Sequence, residues 1–599
     1  MKLLSFELGD LGKDDSGKDR TFKSLHAGFK VNFHRLTDKG IESMLEFQPF
    51  CFAGLNGTGK SNVLEALAAI FYHLEFCVAK FRPENFEKHF RRHTCTPDAF
   101  TLKYLIGEPR QAGQVTRIDN LKYLARLITI NKVKGNEPKM FVDPNPFKID
   151  NGYNEEREVS LKSSDRSQEK APGKDFLPDL VVGYSSGENE ILSIPFIKNR
   201  LVHFDEYKEA INKRPYSEPE TSLIYIDKEM SQAVLLACLL FEDKETLKPL
   251  KVELGIIGIQ SFRMNFNLLS TGFPEKDDPT LIKMVPLVDH LADKIEILKN
   301  CSTSWFKSKN GIRVHSQSTD ADRLTLDFFV GIDPENEDER KTKQAFRDNF
   351  NSSFEFFRLL QVLYELNNNI VSDSTKEEVY KSGGFYTDGK LPSASPDDNV
   401  FYFLDYMILK QIKGLEKPKE LLLREFSDGE HQFLHTMGIC LMLKDRRTLL
   451  LLDEPETHFN PGWRAKFIKV LNDSLKAGGT NNFLKDVILT SHSPFIISDC
   501  LPNNVIFFKR NKETHKIEAK SAREMDFNTY GTSIEIISDE LFEYNQSIGE
   551  WANEELKKID FENIKNKEDK EAIKQELKIL GESIEKDLVL VKLNRMNLE

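Results

Sequence analysis

The chain has 599 residues, 39% hydrophobic and 30% charged, with a formal net charge of −12. That length points to more than one domain, and that apolar content excludes wholesale disorder as the default. The acidic balance excludes attraction of nucleic acid by a global field, so any such contact needs a local basic patch.

No run approaches the roughly 18 apolar residues of a membrane span. The seven cysteines, Cys51, Cys77, Cys95, Cys238, Cys301, Cys440 and Cys500, are scattered singly, without a C-x-x-C pair. Neither a zinc site nor a disulfide framework is suggested, and a cytoplasmic setting is expected.

Residues 1–8 alternate like a strand, and Glu7 and Asp10 interrupt the apolar core that a signal peptide needs. Strands are expected over 30–33 and 49–53, followed by a loop over 54–61 and a helix over 62–71. Residues 143–179 are rich in Pro, Ser, Lys and Glu and read as an exposed loop. Strands return at 180–183, 222–226 and 252–259. Residues 276–420 read as mainly helical with one strand, 324–330, and 337–369 reads as a long charged helix or helical hairpin. After His492 a mixed stretch reaches about Leu541. The tail from Trp551 is helix-prone, with Leu577, Ile579, Leu580, Ile584 and Leu588 as an apolar stripe.

Gly54-Leu55-Asn56-Gly57-Thr58-Gly59-Lys60-Ser61 fits the phosphate-loop pattern G-x-x-x-x-G-K-[ST] at every fixed position. Glycines permit a backbone path whose N–H groups converge on a phosphate, and the following helix turns its positive end toward the anion. Lys60 is expected at the terminal phosphates and the Ser61 hydroxyl on a magnesium ion. Asn56, Thr58 and Asn62 complete the expected nucleotide contacts. Leu449 to Leu452 are apolar on both faces, as in a strand inside a parallel sheet, and Asp453 and Glu454 follow at its C-terminal end. One carboxylate can hold the metal shell while its neighbour polarises a water.

Ser427-Asp428-Gly429-Glu430 lies upstream of that strand and also reads as a helix N-cap with its glutamate three residues on. Thr490-Ser491-His492 follows another strand-like run. A second S-x-G-E, Ser185 to Glu188, reads either as a capped turn or as part of the nucleotide site, with Asn189 or Glu190 near the metal. Gln260 is a further candidate for that last role.

In order and spacing these motifs resemble the ABC-type ATPases of the SMC and DNA-repair branch. The resemblance implies an α/β fold: an ABC-type P-loop NTPase with a mixed sheet, a large, mostly helical insertion between phosphate loop and signature, and a helical C-terminal tail. The implied division is 1–270 and 421–545 for the two ATPase lobes, 271–420 for the insertion and 546–599 for the tail. It implies ATP and Mg2+ as cofactors, Ser61 and Asp453 as metal ligands, Glu454 as general base and His492 as a sensor of the terminal phosphate. Ser427, Gly429 and Glu430 would act on nucleotide held by the opposite protomer, so at least a homodimer is implied.

Glu454-Pro455-Glu456-Thr457-His458-Phe459-Asn460-Pro461, Thr490 to Phe495 and Thr529 to Ser533 resemble bacterial antiviral-defence ATPases: OLD-type proteins, the Septu ATPase subunit and restriction-associated ATPases. No Asp-x-Asp follows Pro494, so a separate nuclease or effector is the expected partner, with DNA contact possible in principle and no membrane. A DNA-repair or chromosome-handling ATPase that clamps DNA directly is the alternative. The ATPase subunit of a transporter is disfavoured by the long insertion.

Overall fold

The computed structural model describes the chain apart from residues 37–43, 45–46, 110–122, 145–155, 164–170, 187–189, 214–221, 275–279, 332–336, 383–390, 393–394, 444–445, 478–484, 545–547, 565 and 597–599. Its centre is a seven-stranded sheet in the order Ile517–Ser521, Val505–Arg510, Phe50–Gly54, Lys485–Thr490, Thr448–Asp453, Leu180–Ser185, Leu223–Tyr225. All neighbours are parallel except the edge pair Val505–Arg510 and Ile517–Ser521.

Thr448–Asp453 is buried at every position. Leu449 and Leu451 enter one apolar cluster, Leu450 and Leu452 the other. Two covered faces explain the unbroken leucine run, since a half-exposed strand would alternate. The first cluster lies against Lys60–Val78, the helix that leaves the phosphate loop, and against an antiparallel sheet. That sheet runs Lys30–Asn32, Lys2–Leu8, Phe100–Pro109, Tyr123–Lys132, Lys139–Asp143, Arg157–Val159. The second cluster packs Lys228–Phe241, Ser353–Glu365 and Asp428–Met442 against the opposite face.

The region 271–420 holds more strand than its sequence suggests. Besides Arg323–Phe329, it contains Ser304–Lys309, Ile312–Val314, Phe401–Lys410 and the hairpin Ser270–Pro274 with Ile282–Pro286. Four of these strand segments join Ile256–Asn267 and Lys419–Leu422 in a third, antiparallel sheet. Mainly helical therefore understates it. Phe401–Lys410 and Ser304–Lys309 mix buried and exposed positions without clean alternation, so their strand character comes from distant partners that no local window sees.

The expected strand 252–259 begins instead as the helix Lys248–Leu254, which ends at Gly255 with φ 70°, before the strand Ile256–Asn267. Residues 337–369 form the hairpin alternative: Glu337–Asn349 and Ser353–Glu365, the second capped by Ser352, whose hydroxyl accepts from the Glu355 N–H. Within 143–179, Arg157–Val159 is an edge strand and Pro172–Phe176 a 3-10 turn.

The tail forms Glu550–Lys557, Lys567–Glu576 and Ile584–Arg595. Leu556, Ile564, Leu577 and Leu593 bury one another in a small core of their own. The expected stripe is not continuous: Leu577 is buried, whereas Ile579, Ile584 and Leu588 are exposed. A 3-10 turn at Leu577–Ile579 breaks the helical phase between them. Among the described residues one helix, Lys60–Val78, is long and apolar enough to cross a membrane, and 78% of its apolar window is buried inside the protein.

Candidate functional site

The C-terminal ends of Phe50–Gly54, Lys485–Thr490, Thr448–Asp453 and Leu180–Ser185 lie side by side in the central sheet. The phosphate loop, Asp453 with Glu454, His492 and the Ser185 segment all emerge from that edge, which is where ligands meet open parallel sheets.

The phosphate loop begins at Gly54, φ 140°, and turns through Gly57 at φ 74° and Gly59 at φ 86°. Gly54 is demanded twice: by its dihedral, and because a Cβ there would lie 2.4 Å from the Phe508 carbonyl oxygen. Around Gly57 a Cβ would meet nothing within 4 Å, so its requirement is conformational. Thr58 Oγ1 donates to the Leu55 carbonyl at 2.7 Å, and Asn62 Nδ2 to Ser24 Oγ at 2.6 Å. Lys60 folds back over the loop, Nζ donating to the carbonyls of Gly54 at 2.9 Å and Leu55 at 3.1 Å. Burial pushes its ammonium down to about 8, while Glu454 and Asp453 pull the other way.

Ser61 Oγ donates to Asp453 Oδ1 at 2.8 Å, joining two residues 392 positions apart. Thr490 Oγ1 donates to the same oxygen at 2.6 Å and accepts from the Glu454 N–H at 3.0 Å. A hydroxyl and a carboxylate in contact at a phosphate loop form the hard oxygen set that suits Mg2+, which keeps few protein ligands and relies on substrate phosphates and water for the rest. Among the described residues no group of three or more His, Cys, Asp or Glu could hold a metal.

Glu454 is a non-glycine residue at φ 47°. That conformation turns its half-exposed side chain out of the strand. Burial, then the Asp453 charge, raises its carboxyl, with Lys60 opposing. His492 Nε2 stands 3.4 Å from Glu454 Oε1. Burial, then Lys60, pushes the imidazole down to about 4, so near pH 7 the pair is a neutral ring beside a carboxyl group and not an ion pair.

Several supporting contacts join motif segments, and one residue, Phe542, lies outside any motif. Ser186 hydrogen-bonds the Glu454 carbonyl and lies 2.7 Å from Thr457 Oγ1. Ser491 donates to Glu456, whose burial lifts it to about 7. Phe542 packs on His492 with ring centroids 5.9 Å apart. Thr490 and Ser491 flank the histidine in its motif, which was the available signal. Phe542 had none, because only folding brings its helix, Ile534–Phe542, to the loop.

The second S-x-G-E lies next to Asp453: Ser185 pairs with it in register, and the Ser186 N–H donates to its carbonyl at 3.0 Å. Gly187, Glu188 and Asn189 lie outside the described residues, as does the Glu190 side chain. Gln260 sits in the third sheet, its carbonyl accepting from Val330 and Gly331.

Ser427 caps Asp428–Met442, with Glu430 completing the capping box and pairing with Lys410. Burial alone would raise Glu430; Lys410 and the Ser427 bonds outweigh it and hold the carboxyl low. A Cβ on Gly429 would stand 3.0 Å from the His458 carbonyl, so this turn packs on the segment after Glu454. Among the described residues no hydrogen bond or ion pair joins residues 427–430 to the phosphate loop of the same chain.

Residues 303–498 match the family described as "AAA domain, putative AbiEii toxin, Type IV TA system". That span includes the Ser427 turn, Asp453, Glu454 and His492 but not the phosphate loop. A protein of Escherichia phage lambda, Protein ea59, is 26% identical over 151 residues, a quarter of each chain. The SMC head domain from Thermotoga maritima superposes with a TM-score of 0.29 at 10% identity, covering 87% of this chain and 99% of that one. So low a score carries no argument. The strand order and the Ser61–Asp453 contact describe an α/β fold with a phosphate loop at the C-terminal edge of a mostly parallel sheet, and the family match spans part of the chain.

Proposed function

We propose that the chain binds ATP with Mg2+ and hydrolyses it in a site completed by a second copy. The contact of Ser61 with Asp453, with Glu454 and His492 beside it, carries this reading. The metal ion, held by Ser61 and Asp453, would neutralise charge on the phosphates. Lys60, already turned over the loop, would exchange its carbonyl acceptors for phosphate oxygens. Glu454, its carboxyl raised by burial, would accept the proton of the attacking water. His492, neutral and able to donate from one ring nitrogen, would hydrogen-bond the terminal phosphate. Ser427 and Gly429, at the start of a capped helix packed on the segment after Glu454, would act on nucleotide across a dimer.

The biological role proposed is a sensor or regulator for a separate nuclease in antiphage or restriction-associated defence, in the cytoplasm. The description of the matched family, with its AbiEii toxin and Type IV TA system, supports a role in such conflict. The alternative is a repair or chromosome-handling ATPase that clamps DNA itself. Purification with the products of neighbouring genes separates them: a copurifying nuclease supports the first, whereas a stable clamp on DNA with no partner supports the second. The ATPase itself is tested by Glu454→Gln, which should retain Mg·ATP and lose turnover.

A further inference from the structure

Behind the phosphate-loop helix lies a cavity of about 240 Å3 that the nucleotide reading does not use. One wall is the helix itself, through Glu65, Ala69, Tyr72 and His73. Phe86 and Phe90 form a second wall, stacked on each other with centroids 5.3 Å apart. The third is the helix containing Pro195, from which Lys198 enters. Arg91 and Lys381 line it from exposed positions, so the cavity reaches solvent there.

Lys198 is the unusual group. It is only 9% exposed, and its ammonium donates to the Ser382 carbonyl at 2.5 Å. Among the described residues it has no acidic partner. A buried ammonium without a counter-ion costs several kcal/mol in effective terms, and such groups tend to mark functional sites. Burial alone brings it down to about 8, so most of the group remains cationic near pH 7. Glu65, the acid that lines the cavity, does not neutralise it, being engaged by Lys23. The cavity thus combines aromatic walls with a positive charge that has no acidic partner among the described residues. Its volume lies below the roughly 300–1,000 Å3 of drug-sized pockets, which suits about one ring with a head group.

We propose that this cavity binds a small aromatic anion, its ring between Tyr72, Phe86 and Phe90 and its carboxylate or phosphate on Lys198. The ligand then rests on the same helix whose first turn supplies Lys60 and Ser61.

Pyridoxal 5′-phosphate, an aromatic aldehyde with a phosphate group, is a suitable probe. The neutral Lys198 amine adds to its aldehyde and loses water to give an imine; borohydride then delivers hydride to the imine carbon and water a proton to its nitrogen, leaving a stable secondary amine for peptide mapping. Labelling of the full chain is run with excess Mg·ATP to shield Lys60. The expected result is label on Lys198, loss of it in Lys198→Met, and loss of it in Ala69→Phe, which fills the cavity while keeping the lysine. Benzoate and phenyl phosphate are added separately as competitors, and the one that protects Lys198 identifies the preferred head group. Label confined to exposed lysines, undiminished Lys198 label in Ala69→Phe, or protection by neither competitor would overturn the proposal. Label on Lys60 despite Mg·ATP would count against the nucleotide reading instead and leave the Lys198 result standing.

Discussion

Two glycines of one loop should respond differently to the same methyl group. At Gly54, φ is 140° and the added Cβ would lie 2.4 Å from the Phe508 carbonyl oxygen and 3.3 Å from the Phe508 nitrogen and carbonyl carbon. Those atoms are backbone of a parallel neighbour in register from Cys51 to Gly54, so they cannot yield without opening the ladder. The glycine-only dihedral costs roughly 1–3 kcal/mol, and the overlap costs roughly 1–3 kcal/mol more. Gly54→Ala should therefore lose about 2–6 kcal/mol. At Gly57, φ is 74° and the methyl meets nothing within 4 Å, so Gly57→Ala should lose only about 1–2 kcal/mol. Urea unfolding followed by intrinsic fluorescence, comparing midpoints at equal slope, measures the difference. A chain of this size need not unfold in two states, so the midpoint of the transition protected by Mg·ATP is the one to compare. Equal losses for the two variants would refute the argument from Phe508.

Lys60→Ala should abolish nucleotide binding, read by fluorescent-ATP titration, because it removes the cation folded over the loop. Glu454→Gln should preserve binding and slow hydrolysis by about 10²–10⁴; turnover equal to the parent would dismiss Glu454 as the base. Ser427→Arg should bind ATP but not hydrolyse it, and mixing it with Lys60→Ala protein should restore some activity; proven heterodimers without rescue would argue against a shared site. Glu456 gives a pH signature. Its folded-state value, about 7, lies above the ordinary 4.5. Its neutral form is therefore favoured by folding, and that stability is complete below about pH 4.5 and lost as pH rises through about 7. Glu456→Gln should be more stable than the parent at pH 8, by about 3 kcal/mol, with the gap closing toward pH 4.5; a gap independent of pH would contradict this.

The phosphate loop, the buried leucine strand and its two carboxylates were legible because each is a local pattern whose chemistry is carried by adjacent residues. Gly54 to Ser61 and Leu449 to Glu454 needed no partner to be read, and the capping box of Ser427 and Glu430 is likewise a four-residue device. Folding decided what distance hides. It set Ser61 against Asp453, slid Ser186 under Glu454 and brought Phe542 onto His492. It also built a third sheet where 271–420 read as mainly helical with one strand, since Phe401–Lys410 becomes a strand through pairing with Ile256–Asn267 about 150 residues earlier. Lys198 shows the same division most sharply. In sequence it is an ordinary lysine in a helix; only packing removes its water and leaves its charge facing an aromatic cavity.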